Sequence, residues 1–146
     1  MIRRGVVSLG IFTVCSLAIG STNSFAHGED KPGPHGGFVR MPGALHTEVL
    51  AISDTEFQIY LLDVEWKNPT IEGSSVTAKL KRGVKEIQLE CSPIENRFSC
   101  RTPKGEKHKK KDELQVTANR KGISGNVASY KLPLKLEKSV VDHSQH

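Results

Sequence analysis

Apolar side chains recur at every second position through most of this chain. Phe57, Ile59 and Leu61 keep that phase, as do Val76, Ala78 and Leu80; Ile87, Leu89 and Cys91; Leu114, Val116 and Ala118; and Ala128, Tyr130, Leu132 and Leu134. A period of two places alternate side chains on one face of an extended strand, so each run predicts a strand with one buried face. Turn-forming stretches separate the runs: Ser53-Asp54, Asn68-Pro69, Glu72-Gly73, Arg82-Gly83, Pro103-Lys104-Gly105 and Lys121-Gly122. No segment shows a helical stripe. The pattern predicts an all-β fold, a single antiparallel β-sandwich of immunoglobulin-like character with about seven or eight strands, over residues 38–135. Trp66 runs straight into Lys67-Asn68-Pro69, so it reads as a half-buried aromatic at a strand end rather than a core tryptophan.

The two ends break the alternation. Arg3 and Arg4 precede an uncharged, mostly apolar run from Val6 to Ile19, and Ser24-Phe25-Ala26 puts small residues at −3 and −1 of a cleavage site. Residues 1–26 therefore read as a signal peptide, with the processed chain starting at His27 in the periplasm or outside the cell. The apolar run is shorter than a bilayer span, and no comparable run follows, so no membrane insertion is expected after leader removal. Residues 27–37 are rich in Gly, Pro and His and read as a flexible arm or a series of turns, and residues 136–146 as a flexible tail.

Removing the leader takes Cys15 with it and leaves Cys91 and Cys100. In an oxidising compartment such a pair reads as a structural disulfide, and eight intervening residues give no support to C-x-x-C redox or metal chemistry. Cys91 continues the phase of Ile87 and Leu89 while Cys100 shares that of Phe98, so both sulfurs can face one side of a hairpin.

Residues 27–146 hold 19 basic and 16 acidic side chains, a net charge of +3. Lys104, Lys107, Lys109, Lys110 and Lys111 supply much of the excess. Alone, such a run suits nucleic acid or anionic lipid. No aromatics are interleaved with it and Glu106, Asp112 and Glu113 interrupt or flank it, so it reads as a solvated loop, with no nucleic-acid partner expected. No nucleophile elbow, H-E-x-x-H or phosphate loop is present, and an oxidised cysteine pair offers no nucleophile, so an enzyme is not expected.

Histidine is the informative residue: six occur, none in the leader. Neutral imidazole is a common ligand of Cu, Ni and Zn, so the candidate chemistry is a divalent transition metal, copper favoured over nickel or zinc. His27, as a processed N-terminus, would offer amine and imidazole together; the alternative is a frayed terminus. His46 and Glu48 are two apart on one strand face, as metal ligands or as a half-buried pair. His35 lies in a glycine turn, and Met41 adds a soft thioether between His35 and His46 unless it only packs. His143 and His146 form a candidate secondary metal-scavenging tail or a solvated end. His108 lies among lysines, which disfavour a cation, and stays outside the site.

At Gly33-Pro34-His35-Gly36-Gly37, the short strand Phe38 to Met41, and His46-Thr47-Glu48, the chain resembles small periplasmic metal-associated β-sandwich proteins and similarly patterned modules of heavy-metal efflux adaptors. Tyr60-Leu61-Leu62-Asp63, Phe98 to Pro103 and Leu114 to Arg120 extend the likeness, over about residues 33–134. The cysteine pair and the lysine loop depart from that pattern. A periplasmic copper carrier with an N-terminal His ligand is a second comparison, but no late Asp-x-His motif is present to complete its site. The resemblance implies metal transport, resistance or homeostasis, with the metal ion and a metal-efflux component as partners. The alternative is a non-catalytic β-sandwich interaction module with incidental histidines.

Overall fold

A computed structural model describes residues 27–136. The expected leader and the tail histidines His143 and His146 lie outside the described residues. The strands are β1 (His27–Gly28), β2 (Phe38–Met41), β3 (His46–Ser53), β4 (Glu56–Leu62), β5 (Ser75–Arg82), β6 (Lys85–Gln88), β7 (Glu90–Ile94), β8 (Arg97–Arg101), β9 (Glu113–Arg120), β10 (Ile123–Ser124) and β11 (Ala128–Lys131). Sheet A runs β1-β2-β3-β4-β8-β7; sheet B runs β10-β9-β5-β6, with β11 also paired to β9. Every pairing is antiparallel, so the molecule is an all-β sandwich. Among the described residues no helix is long and apolar enough to cross a membrane.

The alternating residues meet between the sheets. Phe57, Ile59, Leu61, Val76, Ala78, Leu80, Leu114, Val116, Ala118, Ala128 and Tyr130 are all buried in one cluster. Full burial of the Val, Leu, Ile and Phe side chains among them contributes about 1.5–3 kcal/mol each, which helps to offset the entropy of ordering the strands. Tyr130 brings a hydroxyl into this interior; it donates to the Thr47 carbonyl at 2.8 Å and meets the Thr47 hydroxyl at 2.6 Å. Burial pushes its pKa well above the ordinary tyrosine value.

The strands outnumber the seven or eight expected, for two reasons. His27–Gly28 and Ile123–Ser124 are two-residue strands too short to show a period. The run 85–94, one strand by pattern, belongs to two sheets: Lys85–Gln88 pairs with β5, and Glu90–Ile94 pairs with β8. Leu89 is the corner, donating its N–H to the Ala78 carbonyl at 2.9 Å. Both sheets face the same interior, so the phase of Ile87 and Leu89 continues across the switch.

Cys91 and Cys100 stand directly opposite each other on β7 and β8 and are joined as a disulfide. Its short loop stabilises the domain by about 2–3 kcal/mol, chiefly by restricting the unfolded chain. The Lys121-Gly122 turn closes β9 onto β10 with φ of 50° and 85°, the left-handed pair that a two-residue hairpin needs.

Candidate functional site

The inner phase of sheet A is apolar apart from Arg40 and Thr47, but its outer phase is also covered. Val39, His46, Glu48, Tyr60 and Leu62 point away from the interior and are nevertheless buried. Their cover comes from the segment before β2 and from the turn after β4.

The segment Gly33–Gly37 is a closed turn: Gly33 donates to the Gly37 carbonyl and Gly36 to the Gly33 carbonyl, each at 2.9 Å. It is fixed to the sheet by one carboxylate. Glu48 Oε1 accepts the backbone N–H groups of His35 at 2.8 Å and Gly37 at 3.0 Å, and Oε2 lies 2.7 Å from His35 Nδ1. The glycines are required by this closeness. A Cβ on Gly33 would run into Glu48 Oε1, one on Gly37 would stand 2.6 Å from Leu50 Cδ1, and Gly36 has a φ of 78°. The motif is therefore built around the carboxylate of Glu48.

A carboxylate only accepts, so the proton between it and His35 sits on Nδ1, and a neutral ring then carries its lone pair on Nε2. The ring stacks on Tyr60 with centroids 3.7 Å apart and planes within 4°. Arg97 lies over the Tyr60 ring as well, at 5.8 Å from the centroid. Thus His35 is held in plane and in tautomer, with 28% of its side chain exposed.

His46 is placed differently. Its Nδ1 lies 2.9 Å from the Asp63 carbonyl and its Nε2 receives the Trp66 indole N–H at 3.1 Å. Indole N–H can only donate, so Nε2 accepts and Nδ1 carries the proton. Both nitrogens are thereby committed to the turn after β4. That turn is wound on Asp63: its carboxylate accepts the N–H of Glu65 at 3.0 Å, the N–H of Lys67 at 2.9 Å and the Asn68 side-chain amide at 2.8 Å. The Lys67 N–H foremost, with Asn68 and Glu65 behind it, holds the Asp63 carboxyl below its ordinary pKa. Trp66, half-buried at φ 63°, also carries the Lys31 ammonium 5.0 Å from its ring centroid.

Of the residues singled out in the sequence, the structure brings His35 and Glu48 into contact and places His46 on the same face, bonded elsewhere. Met41 is exposed at the end of β2, with the His27 Cα opposite it in register on β1. Among the described residues, no three His, Cys, Asp or Glu side chains converge as a metal site. Of His35, His46 and Glu48, only His35 keeps a ring nitrogen, Nε2, outside the hydrogen bonds of the described residues, since both nitrogens of His46 and both oxygens of Glu48 are already engaged. Tyr60, Asp63 and Trp66 complete the cap without being singled out as site residues by the sequence. The available signal was on β4, where Tyr60 and Leu62 are apolar in the outward phase and so announce a second covered face. No protein-family model, curated protein or solved structure matches the chain.

Proposed function

We propose that the chain is an exported, non-catalytic metal-binding protein, periplasmic or secreted, that handles copper in preference to nickel or zinc in transport, resistance or homeostasis. One observation carries the reading: buried Glu48 holds Nδ1 of His35, Tyr60 holds the ring plane, and Nε2 is left as a donor on a partly exposed imidazole. A carboxylate behind the ring is the support that a metal-ligating histidine ordinarily has. One imidazole is not a complete site. Cleavage after Ala26 would give His27 a free amine beside its imidazole, a chelate suited to Cu(II), and Met41 adds a thioether suited to Cu(I). The metal is cargo here, and a metal-efflux component is the partner that this reading requires. His46 and Glu48 then support the site without ligating. We also read the sandwich as immunoglobulin-like, because β3-β4-β8-β7 opposite β6-β5-β9-β11 follows the order A-B-E-D opposite C′-C-F-G.

Isothermal titration of the untagged, processed chain with Cu(II), Cu(I), Ni(II) and Zn(II) tests this. His35→Ala should weaken binding of the preferred ion more than tenfold, about 1.4 kcal/mol, and deletion of residues 142–146 should cost less. Acid should weaken binding, because only neutral imidazole ligates. If His35→Ala binds like the parent while the tail deletion abolishes binding, the cap is no part of the site. A second reading, a non-catalytic interaction module, is favoured by the commitment of both His46 nitrogens and both Glu48 oxygens to the fold. Failure of every ion to bind would select it.

A further inference from the structure

The positive charge of this chain is not spread over it. The β5–β6 hairpin and the loop between β8 and β9 meet at one end of the sandwich. Arg82 joins them, donating to Asp112 Oδ1 at 2.9 Å, Asp112 Oδ2 at 2.7 Å and the Lys107 carbonyl at 2.8 Å, and Lys85 reaches Glu106 at 2.8 Å. The loop is fixed at its base as well. Thr102 donates to the Glu106 carbonyl at 2.7 Å, the His108 N–H to the Asp54 carbonyl at 2.8 Å, and the Lys109 N–H to Asp112 at 2.8 Å.

Residues 81–85 and 103–112, with Asp54, hold eight basic and three acidic side chains. The rest of residues 27–146 holds eleven basic and thirteen acidic ones. By sequence, then, the residues of this end carry +5 and the remainder −2. At this end, Lys104, Lys109, Lys110 and Lys111 are exposed and make no ion pair among the described residues. Two apolar features lie amid these cations. Val84, at the tip of the hairpin beside Gly83, is the most exposed large hydrophobic side chain of the described residues. A hollow of about 260 Å³ is lined by His108, Lys109, Lys110, Leu132 and Pro133.

We propose that this end of the sandwich is a docking surface for an anionic lipid bilayer, with the Val84 tip entering the headgroup layer and the four unpaired lysines lying over the lipid phosphates. An ammonium near an anionic leaflet gains on the order of 1 kcal/mol, and the attraction falls off within a Debye length. A fully exposed valine at a tip has no use in a purely electrostatic contact but gains by leaving water at a membrane interface. Nucleic acid fits the patch less well, because neither segment holds a Phe, Tyr or Trp to stack on a base and the His108 ring already lies against Phe57, with centroids 4.8 Å apart. The surface is remote in sequence from the His35 cap and does not depend on metal binding.

Cosedimentation of the processed chain with vesicles tests the proposal. Vesicles of equal phosphatidylglycerol and phosphatidylcholine should bind the protein, phosphatidylcholine alone should not, and about 1 M salt, with a Debye length near 3 Å, should release it. The combined variant Lys104→Gln, Lys109→Gln, Lys110→Gln, Lys111→Gln should lower partitioning by about 100-fold or more. Val84→Ser should lower it about 3- to 10-fold while leaving binding to soluble polyphosphate unchanged. All five side chains are exposed, so equal melting temperatures will show that the variants fold. Equal binding to neutral vesicles, or parent-like partitioning of the quadruple variant, overturns the proposal. A Val84→Ser chain that binds vesicles as the parent does overturns it too, because the contact is then purely electrostatic and the tip does not enter the headgroup layer.

Discussion

Between the sheets, Phe57, Ile59, Leu61 and their neighbours exclude water mainly by volume, whereas on the outer face of sheet A a second region, with Glu48, His46 and Tyr60 buried and His35 and Trp66 partly exposed, is assembled from polar and aromatic groups. The inner region is held mostly by many weak contacts without direction, the bonds between Tyr130 and Thr47 apart. The outer one is held by a few bonds, each with a fixed donor and acceptor. A loss in the first is shared among neighbours that can shift; a loss in the second strands a particular group. Buried polar networks are costly when partly satisfied, so the cap should fail by single steps.

The lone tryptophan, Trp66, sits in the cap, which makes its fluorescence a reporter of that region while circular dichroism reports the strands. The largest expected effect lies in the interior: Phe57→Ala should cost about 3–5 kcal/mol and bring both signals down in one earlier transition. A Trp66 signal that outlived the strands would make the cap independent of the core. Next, Glu48→Ala removes the acceptor of two backbone N–H groups and of His35 Nδ1–H. About 3 kcal/mol is expected, with hydrogen exchange at the His35 and Gly37 amides accelerating before the strands open. Gly33→Ala, which drives a methyl group into Glu48, should cost about 1–3 kcal/mol and accelerate the same two amides.

The smallest effect is acidic. The folded pKa of Asp63 is lowered, so its contribution to stability is complete above its ordinary value of 3.8 and is lost as pH falls through the lower folded value. Below about pH 4, Trp66 emission should therefore shift before the circular dichroism does, and Asp63→Asn should abolish that early step. Simultaneous loss of both signals in acid would show that the turn after β4 is not a separate unit.

The interior was legible because alternation survives any strand order: Val76, Ala78 and Leu80 face inward whatever pairs with them. Even the sheet switch at Leu89 leaves the period intact, which is why it could not be seen. The disulfide was legible for a similar reason, since the phases of Cys91 and Cys100 sufficed to place them face to face. The cap was legible only in part. The Gly33–Gly37 motif and the shared face of His46 and Glu48 stand out in sequence, but their partners do not. A carboxylate within a strand ordinarily marks a wet face, and nothing local tells that Glu48 is closed over by a turn eleven to thirteen residues earlier. Likewise, Trp66 reads as an edge aromatic until the turn wound on Asp63 swings its indole N–H onto His46.

Four consecutive residues of β3, His46, Thr47, Glu48 and Val49, are buried although the strand alternates like any other. Two of them serve the interior and two serve the cap. A saturation scan of substitutions should therefore show no two-residue rhythm along this stretch. Along β5, where Thr77 and Lys79 face outward between Val76, Ala78 and Leu80, tolerance should rise and fall with each step. Constraint at His46 and Glu48 would then record a fold that is closed on both sides, and the presence or absence of a ligand would leave that constraint in place.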